Sequence, residues 1–302
     1  MPPQSRQLVL NLMPSVFVLL WSTGFIGAKY GLPYAEPLTF LAVRFGAVTA
    51  ILCAIAMATH APWPTQRRDI VHSLVSGLLI HGVYLGGVFW AIALGMPAGL
   101  SALIVGVQPL LTAFVSKLTL GETVSKLQWV GIALGFGGLI LVLGPRIVSA
   151  SGTPIATFAI ILNVAALLGI TAGTIYQKRY AAFADLRSGG TLQYLAATLL
   201  CWAGALTFET RHINWTVDFL LAMGWLVIVL SLGAITLLML LIRHGAITKV
   251  ASMFYLVPPV TVLIAYFMFD EQLSMLQMSG MVLTAFAVWL ASGSGQTQKN
   301  KV

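Results

Sequence analysis

Apolar residues fall into ten long runs along this chain, separated by short polar gaps: 11–30, 38–59, 70–92, 98–117, 125–144, 156–177, 190–208, 219–241, 247–268 and 274–292. Each run is close to the about 20 apolar residues that a helix needs to cross the hydrocarbon core of a bilayer. The pattern predicts ten membrane-spanning helices, with no gap long enough for a soluble domain. The tails, 1–10 and 293–302, are polar and read as mobile ends. Ser125-x-x-Gln128 and Ser274-x-x-Gln277 read as capping boxes that open the fifth and tenth runs. Glu122 and Glu271 stand just before those starts, where a carboxylate suits the positive end of a helix dipole. Gly131, Gly135 and Gly138, with Gly137, form a small-residue stripe in the fifth run. It serves close packing either within the fold or against a second copy.

The runs repeat. An offset of 149 residues carries Pro109 onto Pro258, Glu122 onto Glu271, Gln128 onto Gln277, Gly131 onto Gly280 and Lys29 onto Lys178. Two homologous halves follow, 11–144 and 156–292, each with five helices. An odd number per half turns the second copy upside down relative to the first. The cations agree. With the N-terminus inside, the inner segments hold Arg6, Arg67, Arg68, Lys117, Lys126, Lys178, Arg179, Arg187, Arg243, Lys249, Lys299 and Lys301. The outer ones hold only Lys29, Arg146 and Arg211. By the positive-inside rule both termini are cytoplasmic.

Charged residues make up 8% and apolar ones 59%, with a mean hydropathy of +0.94. A soluble domain carries about 25% charged residues, so lipid is the solvent here. The net charge of +8 sits in the gaps between runs, and no basic stripe for nucleic acid is present. Cys53 and Cys201 lie inside apolar runs and read as small core residues rather than a disulfide or metal site.

Polar side chains inside the runs are costly in lipid and must pack inward or line a wet cavity. His81 and Tyr84 follow Ser73 and Gly77 at helical spacing. His81 reads either as a cavity-lining, proton-responsive group or as a buried histidine bonded to a neighbouring helix. Trp21, Ser22, Ser101, Gln108, Thr171, Tyr176, Ser252 and Tyr255 are further candidates for lining a solute site. Asn163 reads as an interhelical hydrogen bond. Trp63, Trp129, Trp215 and Trp289 fall near helix ends and fit an interfacial belt. Pro109 and Pro258-Pro259 break backbone bonding in matched helices, either as simple kinks or as hinges beside a solute. Arg44 is either snorkelling, in a structural ion pair, or set to receive a carboxylate. Its image is Gln193, so the charge is not repeated.

An ordered set of short motifs resembles the EamA-type branch of the drug/metabolite transporter superfamily. They are Trp21-Ser22-Thr23-Gly24, Pro37 followed by Arg44-Phe45, Gln108-Pro109, Gly121-Glu122 and Gln128 with Gly131. In the second copy they are Pro258, Glu271, Gln277 and Gly280, with Asp270 in place of the family's glycine. The resemblance implies an all-α integral membrane fold of ten helices, built as two inverted repeats around a central cavity that works by alternating access. The start of the first helix is most similar to bacterial exporters of aromatic amino acids. It implies an inner-membrane exporter of aromatic or neutral amino acids, or of drugs, nucleosides or polyamines, with no cofactor. The small solute and the lipid bilayer are the expected partners; a monomer is compatible, and the oligomeric state is open. No acid lies mid-helix, which favours facilitated transport over ion coupling. An intramembrane enzyme would need a nucleophile, base or metal cluster at membrane depth, and none is legible. A channel would show no saturable flux. A nucleotide-sugar carrier would need more cations in its cavity.

Overall fold

A computed structural model describes residues 3–96, 101, 104–149, 156–245, 247–269 and 274–293. Helices occupy all ten expected positions. They are α1 (Pro3–Gly31), α2 (Pro37–Ala58), α3 (Arg67–Ala93), α4 (Gln108–Thr119), α5 (Lys126–Ser149), α6 (Thr157–Ala181), α7 (Leu186–Phe208), α8 (Val217–His244), α9 (Ile247–Ser252, Met253–Leu256 and Val257–Phe269) and α10 (Met275–Gly293). No named strand occurs among the described residues; a lone bridge pairs Ala35 with Ile213. Among the described residues, six helices are long and apolar enough to cross a bilayer. Leu199, Leu206, Leu221, Ile228 and Val282 project outward, as lipid-facing residues do.

Several boundaries differ from those expected. The helix begins at Pro3, so the described part of the N-terminal tail is helical. α5 runs on to Ser149. The run 98–117 is not one helix: a turn at Gly106–Val107 precedes α4, which starts at Gln108. Proline lacks an N–H and is pre-set for a first turn, so Pro109 starts a helix more readily than it continues one.

The chain folds into two compact units, and both draw on both sequence halves. One contains α1 as far as Ser22, with α4, α5, α9 and α10. The other contains α1 from Thr23, with α2, α3, α6, α7 and α8.

In the second unit, α2 packs along α7, its image in the repeat. Glu209, at the end of α7, accepts from the first amides of α2, Leu38 N and Thr39 N, both at 2.7 Å. Arg187, in the first turn of α7, donates to Thr59 Oγ1 at the far end of α2. The two helices are therefore antiparallel. At their crossing, Thr49 and Thr198, 149 residues apart, meet through their hydroxyls at 3.4 Å. A residue touching its own repeat image marks a local two-fold axis.

The first unit shows the same relation. Gly131 of α5 faces Ala287 and Ala291 of α10, while Gly138 faces Gly280 and Thr284. Swapping each residue for its image turns the Gly131–Ala287 contact into the Gly138–Gly280 contact. The glycine stripe therefore serves packing within the fold. Ile132, Leu139, Val142 and Val288 fill this seam together with Tyr255. Both capping boxes close reciprocally. Ser125 N donates to Gln128 Oε1 at 2.8 Å and Gln128 N to Ser125 Oγ at 3.2 Å; Ser274 and Gln277 repeat this at 3.1 and 3.2 Å.

Candidate functional site

Each unit buries polar groups beside irregular stretches of its helices. In the first unit the frame is a pair of interrupted helices. α9 changes to 3-10 geometry over Met253–Leu256, and its image, 104–107, contains the turn before α4. The prolines follow the breaks rather than making them mid-helix. Pro109 lies in the first turn of α4, and Pro258-Pro259 in the first turn of the last part of α9. Ser22 Oγ donates to Val18 O at 2.7 Å and lies 3.2 Å from Val257 O beside the α9 break. Thr261 Oγ1 returns a bond to Ser22 O. Trp21 is buried with its ring against Phe17 and Phe254, centroids 5.2 and 5.3 Å away. Ser101, Gln108, Ser252 and Tyr255 are all buried. The Tyr255 hydroxyl, Gln108 Nε2 and the Thr112 hydroxyl have no hydrogen-bond partner among the described residues. Such groups cost about 1–3 kcal/mol each when left without a partner.

Glu122 also belongs here, with a role other than that expected. Its carboxylate reaches the start of α9, accepting from Ile247 N at 2.9 Å and from Thr248 N and Oγ1. It neutralises a helix start across the fold rather than the α5 start beside it in sequence, because the Ser125 box already satisfies that end. Glu271 lies outside the described residues.

In the second unit the frame is a pair of π-helical segments. α3 widens over Leu78–Val83 and α8 over Leu226–Ala234; the image of 78–83 is 227–232, inside the second segment. Such widenings turn side chains off the regular face and recur at functional sites. His81 stands in the first and Ser231 in the second. Between them are Arg44 of α2 and, on α7, Gln193 and Tyr194. Arg44 Nε donates to Ser231 Oγ at 3.1 Å, and Tyr194 Oη donates to Ser231 O at 3.1 Å. The His81 and Tyr194 rings stack at 4.2 Å and 12°, with Phe45 against both. No hydrogen bond of acceptable geometry reaches either ring nitrogen of His81, although the Gln193 side chain lies near it. Gln193 Nε2 donates to Gln177 Oε1, which also accepts from Ser76 Oγ. A small space lined in part by Gln177, Gln193, Tyr194 and Ser231 has room for a water or two.

Arg44 is 3% exposed, so it does not snorkel, and no Asp or Glu is buried among the described residues to pair with it. Tyr84 is buried. The Thr171 hydroxyl is spent on Leu167 O of its own helix. Tyr176 is not brought to His81. Its hydroxyl meets His72 Nδ1 at 2.6 Å, and its ring packs on Tyr180. Arg68 Nε donates to His72 Nε2, which leaves Nδ1 as the donor to Tyr176. Asn163 Nδ2 donates to Met96 Sδ at 3.0 Å. Trp63, Trp129, Trp215 and Trp289 are exposed. Cys53 and Cys201 are free, and among the described residues no His, Cys, Asp or Glu group is arranged to hold a metal.

Sequence reasoning missed Ser231, Tyr194, Gln177 and Thr112. Ser231 sits alone in an apolar run. Gln193 was visible only as the image of Arg44.

Ten helices in inverted copies, with matched interruptions around buried polar groups, define a membrane transporter fold. A crystal structure of another protein superposes on 95% of this chain and 98% of its own with a TM-score of 0.79 at 19% identity, which shows the shared fold. Residues 11–144 match the EamA-like transporter family. The Bacillus subtilis (strain 168) protein named uncharacterized transporter YvbV is 26% identical, covering 95% of this chain and 93% of its own. The Escherichia coli (strain K12) uncharacterized inner membrane transporter YedA is 29% identical over 95% and 92%. A protein of the same strain named probable amino-acid metabolite efflux pump is 25% identical over 90% and 91%. This chain is a membrane transporter carrying an EamA-like domain.

Proposed function

We propose that this protein exports small metabolites, foremost amino acids with aromatic or neutral side chains, across a bacterial inner membrane by alternating access. The reading is carried by the matched breaks at 104–107 and 253–256 with Gln108, Thr112 and Tyr255 unsatisfied around them. Interrupted helices at corresponding places in two inverted halves are where transporters hold solutes. The name of one relative, an amino-acid metabolite efflux pump, supports the solute class and the direction. Trp21 offers flat apolar area, and Tyr255 adds a hydroxyl to its ring, as an amino acid with an aromatic side chain requires. No buried acid lies among the described residues, which supports facilitated movement over proton or sodium coupling. The excess of cations in the segments read as inner supports cytoplasmic termini.

Counterflow in liposomes with labelled amino acids, amines and nucleosides tests the reading. Saturable exchange of neutral and aromatic amino acids is expected. Trp21→Ala and Tyr255→Phe should each lower it several-fold while the protein stays folded. Exchange of every amino acid at the rate of empty liposomes would overturn it.

A further inference from the structure

We propose that Arg68, His72, Tyr176 and Arg179, where α3 begins and α6 ends, form a docking surface for the headgroup phosphate of an anionic phospholipid. All four belong to the second unit. α6 widens to π geometry over Gln177–Ala181, beside the start of α3. Such segments recur at functional sites. Tyr180, inside this one, stacks its ring on His72 at 4.9 Å and 16°, and the Arg179 guanidinium lies 5.3 Å from the Tyr180 ring. Arg68 and Arg179 are both exposed, so the surface is open to a partner.

The cluster holds more donors than acceptors. Arg68 Nε donates to His72 Nε2 at 3.1 Å, so Nδ1 carries the ring proton and donates to the Tyr176 hydroxyl, 2.6 Å away. The hydroxyl hydrogen of Tyr176 and the terminal nitrogens of Arg68 remain, and no acceptor among the described residues takes them. Asp69, beside Arg68 in sequence, makes no ion pair, and Asp185 is held by Arg187. Lys178, in the same π segment, is spent on Ile242 O and Arg243 O at the end of α8. A guanidinium fork and a hydroxyl suit a phosphate. The neighbours in sequence suit its chains. Val71 is 43% exposed and Phe183 is 94% exposed. A ring that bare is costly in water and at home at the headgroup boundary. Cations beside exposed apolar side chains complement both parts of one lipid, and basic positions at helix ends hold acidic headgroups.

Native mass spectrometry of the purified full chain, titrated in detergent with phosphatidylglycerol or phosphatidylcholine, tests this by counting the lipids retained. The parent should retain phosphatidylglycerol at concentrations where phosphatidylcholine is lost. Arg68→Gln with Arg179→Gln should weaken phosphatidylglycerol about tenfold or more, since each cation at an anionic surface contributes about a fivefold factor. Lys117→Gln with Lys126→Gln removes the same charge from the first unit and should leave the affinity within about twofold. Tyr176→Phe, which removes only the hydroxyl, should weaken the anionic lipid a few-fold and leave phosphatidylcholine unchanged. If the arginine pair does not fold, Tyr176→Phe carries the comparison. The proposal is overturned if the two lipids are retained equally, or if the lysine pair weakens phosphatidylglycerol as much as the arginine pair does. It is also overturned if glycerol 3-phosphate at millimolar concentration displaces the lipid, because the surface would then serve a soluble anion.

Discussion

Asp185 and Glu209 do at the residue scale what the membrane interior does not permit. Each keeps a carboxylate at a helix end, where backbone amides and water share its charge. Asp185 caps α7 by accepting from Arg187 N, and its carboxylate also takes the Arg187 guanidinium. That side-chain bond, ahead of the opposing cost of burial, holds its pKa down to about 2 from 3.8. The folded value lies below the unfolded one. The stabilisation is therefore complete above about pH 4 and is lost as pH falls through the folded value. Melting curves of the parent and Asp185→Asn should differ by a constant amount from pH 7 to about pH 4 and converge toward pH 2. Glu209 caps a helix that is not its own. Glu209→Ala should cost about 1 kcal/mol or more, the worth of a cap, read as a lower melting temperature. The sequence shows both acids as end residues but not their partners. Spacing along the chain locates Asp185 beside Arg187, whereas nothing local ties Glu209 to Leu38.

At the scale of elements, what was legible is what is written in short spacing. Capping boxes are three residues long, and both form as read. The glycine stripe of α5 is legible as a close contact, but its partner becomes definite only in the fold. A Cβ on Gly138 would stand 2.9 Å from Gly280 O and 2.9 Å from Thr284 N. These are backbone atoms of α10 that cannot rotate away. Gly137, one residue earlier, has nothing within 4 Å. Gly138→Val should therefore destabilise the protein by about 1–3 kcal/mol, as overpacking does, while Gly137→Val should leave the melting temperature within a degree or two. Equal effects of the two changes would contradict the α5–α10 seam. The π segments were not legible. Leu78–Val83 and Leu226–Ala234 carry the apolar composition of any membrane helix, and the extra residue per turn leaves no mark on hydropathy. The breaks in α4 and α9 were half legible. The prolines announce a discontinuity, but the break lies before them, since a proline restrains the residue ahead of it.

Duplication is the property of the whole molecule that the sequence states most openly, and its arrangement in space is the one it conceals. The 149-residue offset shows two copies, yet each compact unit is assembled from both. Copies of the same helix pack on each other, α2 on α7 and α5 on α10, so neither half buries its own helices alone. Contact between an element and its image requires a two-fold axis, and Thr49 with Thr198 stands close to it. The hydroxyls there lie 3.4 Å apart, near enough for cysteines to bridge after small adjustment. In a background with Cys53 and Cys201 replaced by alanine, Thr49→Cys with Thr198→Cys should oxidise to an internal disulfide in most molecules. Either single change should leave none. Because both residues belong to one compact unit, the crosslinked protein should still exchange solute; complete and reducible loss of exchange would show that α2 and α7 move apart during transport. Antiparallel images have a further consequence for topology. Reporters fused after Val302 and inserted beside Ser151 mark the two ends of the second copy's frame. With the N-terminus inside and each helix crossing once, as proposed, five crossings precede Ser151 and ten precede Val302. A reporter active only in the cytoplasm should therefore work at Val302 and fail at Ser151. Activity at both places would require an even number of crossings between them, in the second half, and the inversion seen at Thr49–Thr198 could not then hold.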